Sequence, residues 1–250
     1  MPDRRALLDR WLGVGLAVAL AVTTLSLAAT GRLGLYINPD ATWFAVSMAV
    51  VVLIGALATF ALPLGAEDDH GHAHEAGEGH AHRRHPLAVA ATVVGGVAAS
   101  LIVIAMLVTP PASLSAELAM SRDIDAPPLF AGADAVTLAA TGDTAEFGIG
   151  EWSTVFATST NPDAYDGDPV TLTGFVTPGD GSFDLTRLVI THCVIDAQAA
   201  SIPVLAGDAA PETGEWVRVT GTVQATAEGR LSIDAESVER IDEPGDPYEY

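Results

Sequence analysis

The chain has 250 residues, 32 of them acidic and 11 basic, for a formal net charge of −21. A polyanion is held by Lys and Arg whose contacts release its counterions, and this chain has no Lys at all, so nucleic acid is not an expected partner. Apolar residues make up 49% of the chain and charged ones only 17%, and the apolar ones crowd into three blocks before residue 110, which excludes a single globular domain and predicts a membrane protein with a soluble acidic tail.

After a short N-terminus, residues 1–10, the run WLGVGLAVALAVTTLSLAA over 11–29 carries no charge and, at ~1.5 Å per residue, nearly crosses a ~30 Å hydrocarbon layer. A signal peptide is the competing reading, because Arg4, Arg5 and Arg10 form a basic start and SLAAT resembles a cleavage site. The length of the run and the spans that follow favour a transmembrane helix. A second span is predicted over 43–62, with Trp43 and Tyr36 suited to the interface, and a third over 87–109, stopped by Pro110 and Pro111. Arginines set the orientation: Arg4, Arg5, Arg10, Arg83 and Arg84 on one side against Arg32 and Arg122 on the other. This distribution predicts a cytoplasmic N-terminus and 65–86 loop, and an extracytoplasmic tail, in the cell membrane. None of the three spans contains Asp, Glu, Lys, Arg or His, so they lack the groups of an ion pathway. Gly13 and Gly15 in the first, and Gly95, Gly96, Ala98 and Ala99 in the third, permit close helix contact, either among the spans or with a partner membrane protein.

Residues 112–167 form a linker or subdomain of mixed composition, with a weak helix signal in SLSAELAMSRDI and a closing turn cluster, TNPDAYDGDP. From 168 to 250 the pattern is β. Five runs, PVTLTGFV, FDLTRLVITHCVID, ASIPVL, EWVRVTGTVQA and RLSIDAESVERI, are separated by Gly, Pro and Asp. Val217, Val219 and Val223 alternate with Arg218, Thr220 and Thr222, which gives that strand one core face and one wet face. The expected fold is thus three transmembrane helices followed by an all-β domain, an OB-like barrel ahead of a sandwich. Although OB folds often bind oligonucleotides, the tail from Pro110 carries 24 acidic and 5 basic residues, and that field repels them.

Two constellations carry possible chemistry. The loop DDHGHAHEAGEGHAHRRH holds His70, His72, His74, His80, His82 and His85, whose alternate spacing lets several imidazoles reach one ion from a pliant backbone. Imidazole favours zinc, nickel, copper or cobalt over calcium or magnesium. The alternative is a solvated low-complexity linker, since nothing in the spacing fixes a closed tetrahedral site. The second constellation is Arg187, His192, Cys193 and Asp196. A Cys beside a His invites a thiolate or metal reading, but on a regular strand neighbouring side chains diverge, so Cys193 is expected as a buried structural residue of a central strand, with Arg187 and Asp196 pairing at the strand ends. As the only cysteine, Cys193 makes no intrachain disulfide. No nucleophile elbow, phosphate loop, zinc-protease or dinucleotide motif is present in the sequence, and no catalytic residue or enzyme activity is predicted.

Taken in order, GRLGLYINPDAT, the His-rich loop, VTPPASLSAELAMSRD, GFV, LTRLVITHCVIDA, EWVRVTGTV and DEPGDPYEY resemble the YcgQ family of bacterial membrane proteins over nearly the whole chain. Tyr36 and Pro39 fall in that family's Y-x-x-P stretch, Gly174, Phe175 and Val176 in its GFV, Arg187, Cys193, Asp196 and Ala197 on its R…CC-x-DA strand, and Pro247 and Tyr248 on its closing P-Y. The family commonly has two adjacent cysteines where this chain has His192 and Cys193, which removes any role for a vicinal thiol pair and keeps a soft-metal ligand pair open. The resemblance implies an accessory subunit of a bacterial permease complex that works beside a multi-span permease protein in the lipid bilayer. It assigns no reaction. With the His cluster, it implies a link to transition-metal handling. The alternative is a stand-alone metal-binding or metal-responsive membrane protein that uses the loop itself.

Overall fold

The computed structural model describes residues 4–61, 94–102, 105, 109, 113–114, 116–121, 144, 146–179, 181–207, 211–226 and 229–250. They fall into two compact units, Met1–Leu33 with Asp40–Pro111, and Gly34–Pro39 with Ala112–Tyr250. The short segment between the first two helices therefore belongs with the C-terminal part of the chain.

In the first unit α1 (Arg4–Ala29) packs against α2 (Thr42–Ala61). A 3-10 turn over Pro39–Ala41 starts α2, where the fixed φ of proline suits a first turn and its missing N–H costs nothing. Among the described residues, Pro39–Thr59 is the one helical stretch long and apolar enough to cross a membrane, with a mean hydropathy of 2.2, and the apolar part of α1, Gly13–Ala29, is shorter. Trp43, Phe44, Ile54 and Leu57 on α2 are all more than half exposed. The expected span 43–62 overlaps this stretch and 11–29 lies within α1. Of the expected span 87–109, residues 94–102 and 105 are helical and most of the rest lies outside the described residues, as does the whole 65–86 histidine loop.

The second unit is a closed five-stranded β-barrel, not a sandwich. Its strands are β1 (Pro169–Thr177), β2 (Phe183–Val189), β3 (Gln198–Leu205), β4 (Trp216–Ala225) and β5 (Leu231–Arg240), hydrogen-bonded in the order β1-β4-β5-β3-β2 and closed by β1 against β2. Only β3 and β5 pair in parallel within the ring. A two-residue strand, β6 (Tyr248–Glu249), adds parallel to β2 at Leu188 and Val189. The alternation expected on β4 holds, for Val217, Val219 and Val223 are at most 1% exposed. Closure of β1 on β2 needs Gly174, because a Cβ there would lie 2.6 Å from the Thr186 carbonyl oxygen and 2.7 Å from Ile149 Cδ1.

Among the described residues, two α-helices accompany the barrel. The weak signal in SLSAELAMSRDI becomes α3 (Ala116–Met120). The composition of 112–167 hides a second, α4 (Ile149–Thr158), whose Ile149, Trp152 and Val155 are spaced by three and point to one face. That face is buried with Leu185, Ile202, Val204 and Ile233 in the main core. Trp152 meets Phe147, Phe156 and Tyr165 edge to face at 5.6–6.2 Å between ring centroids. Inside the barrel a chain of hydroxyls links three strands, Thr177 bonding Thr186 at 2.6 Å and Thr186 bonding Ser201 at 2.7 Å.

Since Trp152 is 1% exposed at the centre of this packing, Trp152→Ala is expected to cost about 3–5 kcal/mol, with Trp152→Phe losing less. Urea unfolding of the full chain, followed by the β signal in circular dichroism, measures both.

Candidate functional site

β2 stops at Val189, six residues short of what the hydrophobic pattern of FDLTRLVITHCVID suggests, and residues 191–196 form a turn. The cause is Asp196. One carboxylate oxygen accepts the His192 N–H at 2.9 Å, the other accepts the Cys193 N–H at 3.2 Å, and the Asp196 N–H returns to the Cys193 carbonyl at 3.0 Å. A short acidic side chain that satisfies nearby N–H groups in this way competes with a strand ladder and wins. The far side of the turn is held by residues 36–38: Val194 N–H donates to the Tyr36 carbonyl, Asn38 N–H to the His192 carbonyl, and Asn38 Nδ2 to the Thr191 carbonyl, each at 3.0 Å. Ile37 and Cys193 form an isolated antiparallel bridge.

Cys193 is therefore a half-buried turn residue and not the buried strand residue that alternation implied. His192 is 81% exposed, with Nδ1 3.1 Å from Asp196 Oδ2. Both carboxylate oxygens of Asp196 are thus committed to N–H groups and to one imidazole nitrogen, an arrangement that orders a turn better than it cages a metal. Among the described residues no group of three or more His, Cys, Asp or Glu is placed to hold a metal ion. His70, His72, His74, His80, His82 and His85 lie outside the described residues.

Arg187 parts company with Asp196. Its Nη1 donates to the Thr173 carbonyl at 3.1 Å, and its Nη2 donates to the Asp246 and Tyr248 carbonyls at 2.7 and 3.2 Å. The guanidinium stands 5.9 Å from the centre of the Trp216 ring, so a single planar cation stitches β1, β2 and the C-terminal segment. The motif residues converge on the same region. Phe175, Leu188, Ile190, Ala197 and Tyr248 make a second apolar cluster beside Leu35, Val194 and Trp216. The residues that carry the resemblance are, in this chain, largely the scaffold of one end of the barrel unit.

Sequence reasoning passed over Glu249. Its Oε1 accepts the Ile149 N–H at 2.9 Å and its Oε2 the Gly150 N–H at 2.7 Å, so it caps α4 from the opposite end of the domain. Glu151 turns back to take the Gly148 N–H at 2.9 Å. Burial pushes the Glu249 carboxyl above its ordinary 4.5, although the two N–H bonds and Arg187 pull it the other way. Burial likewise raises the hydroxyl of Tyr248, which accepts the Leu114 N–H at 2.8 Å, and that of Tyr250, which bonds Asp246 at 2.7 Å. No local pattern announces a cap contributed from about a hundred residues away.

A separate cleft of about 530 Å³ is lined by Trp152 of α4 together with residues at the start of β1 and in the middle of β4 and β5. Its walls carry the carboxylates of Asp168 and Glu236, the hydroxyls of Thr171, Thr220 and Thr222, and the ring of Phe147.

Fold and site together define a small closed β-barrel domain, pinned by its own C-terminal strand, on a chain that begins with apolar helices. The chain carries both domains that define the DUF1980 family: residues 14–125 match the DUF1980 N-terminal domain and residues 151–250 the DUF1980 C-terminal domain. The resemblance to the YcgQ family is consistent with these domains. No curated protein matches the chain.

Two outcomes follow from the bonding. Asp196→Ala strips acceptors from two amides at a net cost of about 1–2 kcal/mol; faster hydrogen exchange at His192 and Cys193, with the strand amides unchanged, is the expected readout. Because the folded chain keeps a proton on Glu249 that the unfolded chain has already released above about pH 4.5, its contribution to stability is largest below that pH. It is lost as pH rises through the raised value, and Glu249→Gln should flatten that decline in a pH series of unfolding curves.

Proposed function

We propose that the protein is an accessory subunit of a bacterial membrane permease complex. In this reading three helices, over 11–29, 43–62 and 87–109, anchor it in the cell membrane, with the N-terminus in the cytoplasm and the barrel, OB-like in its strand order, outside. The observation that carries the proposal is the Pro39–Thr59 stretch, which has a mean hydropathy of 2.2 and is only 11% buried by the rest of the protein. A helix so apolar and so little covered needs lipid or other helices around it. Since the predicted spans hold no ionisable residue, a route for a polar solute must come from a multi-span partner. The acidic barrel, with Asp168 and Glu236 in its cleft, suits a cationic or metal-bound cargo, and the loop of His70, His72, His74, His80, His82 and His85 supplies transition-metal ligands, zinc among them, on the cytoplasmic side.

Affinity purification of the tagged full-length protein from its own membranes in mild detergent tests this. A multi-span protein recovered in stoichiometric amount is expected, and its absence counts against the subunit reading. The histidine loop favours a second reading, a stand-alone metal-responsive membrane protein. Replacing the six loop histidines with Ala should abolish its phenotype in that case, whereas under the first reading transport survives with reduced zinc carried in the eluate.

A further inference from the structure

Among the described residues of the barrel unit, the turn at 193–196 carries the most exposed large apolar side chain, Ile195, at 86% exposed. Tyr36, at 37%, sits in the segment that pairs with this turn, its carbonyl accepting the Val194 N–H, and Tyr250, at 41%, has its hydroxyl 3.3 Å from the Gly34 carbonyl oxygen of the same segment. Three apolar or amphipathic side chains thus gather around residues 34–38 and 193–196. The covalent chain limits where this surface can be. Ile37 pairs with Cys193, and Pro39, two residues later, is the first residue of the apolar stretch Pro39–Thr59. At ~3.5 Å per residue and a pair spacing of ~5 Å, Cys193 lies within about 12 Å of the start of that stretch. Resting on the reading of Pro39–Thr59 as a membrane span, we propose that the Ile195 turn, with Tyr36 and Tyr250, docks on the lipid headgroup layer and holds that end of the barrel at the bilayer surface.

The chemistry of the neighbourhood selects the lipid. An exposed Ile enters the headgroup boundary and Tyr suits the interface, where the ring is apolar and the hydroxyl wet. Asp40, Asp196 and Asp246 lie on or beside the same segments and outnumber Arg32 and Arg187 there, so a zwitterionic surface is the fitting one and an anionic surface is disfavoured.

The experiment uses the full chain with Cys193→Ser, reconstituted in phosphatidylcholine nanodiscs, with an environment-sensitive fluorophore on one introduced cysteine at a time: Ile195→Cys, Ile54→Cys on α2, or Gln224→Cys. Gln224 is exposed and eight residues along β4 from Trp216, about 26 Å at ~3.3 Å per residue, so it reports the far part of the barrel. Headgroup-spin-labelled phosphatidylcholine should quench the 195 probe at least twofold more than the 224 probe, and adding phosphatidylserine should weaken that quenching. If the 54 probe responds to acyl-chain quenchers but the 195 probe behaves like the 224 probe, the docking is wrong and the span stands. If the 54 probe is not quenched by lipid either, the membrane reading itself has failed. A 195 probe shielded from both lipid quencher and aqueous iodide means that a protein covers the turn, and this overturns the proposal.

Discussion

The parallel pairing of Tyr248 and Glu249 with β2 is the constraint on which the barrel unit rests. By itself the pair contributes few ladder bonds, yet it fixes three other things at once. It places Glu249 under the free N–H groups of α4, so the helix that fills the barrel starts from a carboxylate delivered by the far end of the domain. It offers the Tyr248 and Asp246 carbonyls to Arg187, which in turn reaches back to Thr173 on β1, the strand that closes the ring. It also buries the Tyr248 ring in the cluster that receives Leu35 and Val194. The half-buried carboxyl of Glu249 is tolerated because its oxygens accept two N–H groups and the charge of Arg187 favours it, although burial still raises its pKa.

The barrel was legible wherever a local pattern decides structure. Period-two alternation marked β4, and Gly, Pro and Asp clusters marked the breaks between runs. Two errors share a physical origin in side chains that act at a distance or against the ladder. The run FDLTRLVITHCVID reads as one long strand because hydrophobicity does not register Asp196, whose carboxylate takes the amides that would otherwise have extended β2. Helix α4 is short and its stripe has only three members, so composition hid it in a stretch that looks like linker. Its cap at Glu249 could not have been found from sequence, because the partner arrives through tertiary structure. Of the candidate residues, His192, Cys193 and Asp196 do come together, but as a turn. Arg187 serves a different set of partners, and the six histidines of the loop lie outside the described residues.

The turn and the segment that clasps it change how the resemblance is to be used. A string such as R…C-x-x-D-A invites a catalytic reading, and here three of its members have structural roles: Arg187 bridges backbone carbonyls, Asp196 orders amides, and Ala197 is packed in the second cluster. Among the described residues, the exposed side chain of Ile195 and the open cleft beside α4 carry no such role. Function is to be sought at those surfaces rather than in the string.

The assignment of Gly34–Pro39 to the barrel unit carries a consequence for biosynthesis. Asn38 hydrogen-bonds a carbonyl 153 residues further along the chain. At a synthesis rate of ~5–20 residues per second, the link between the first two helices is made roughly 8–30 s before its partner exists. Throughout that interval the amides and carbonyls of residues 36–38 have no β partner. The barrel can then complete its edge only by returning to a stretch laid down at the outset, so its final docking is a late, long-range event, slow for reasons of loop closure rather than of local structure.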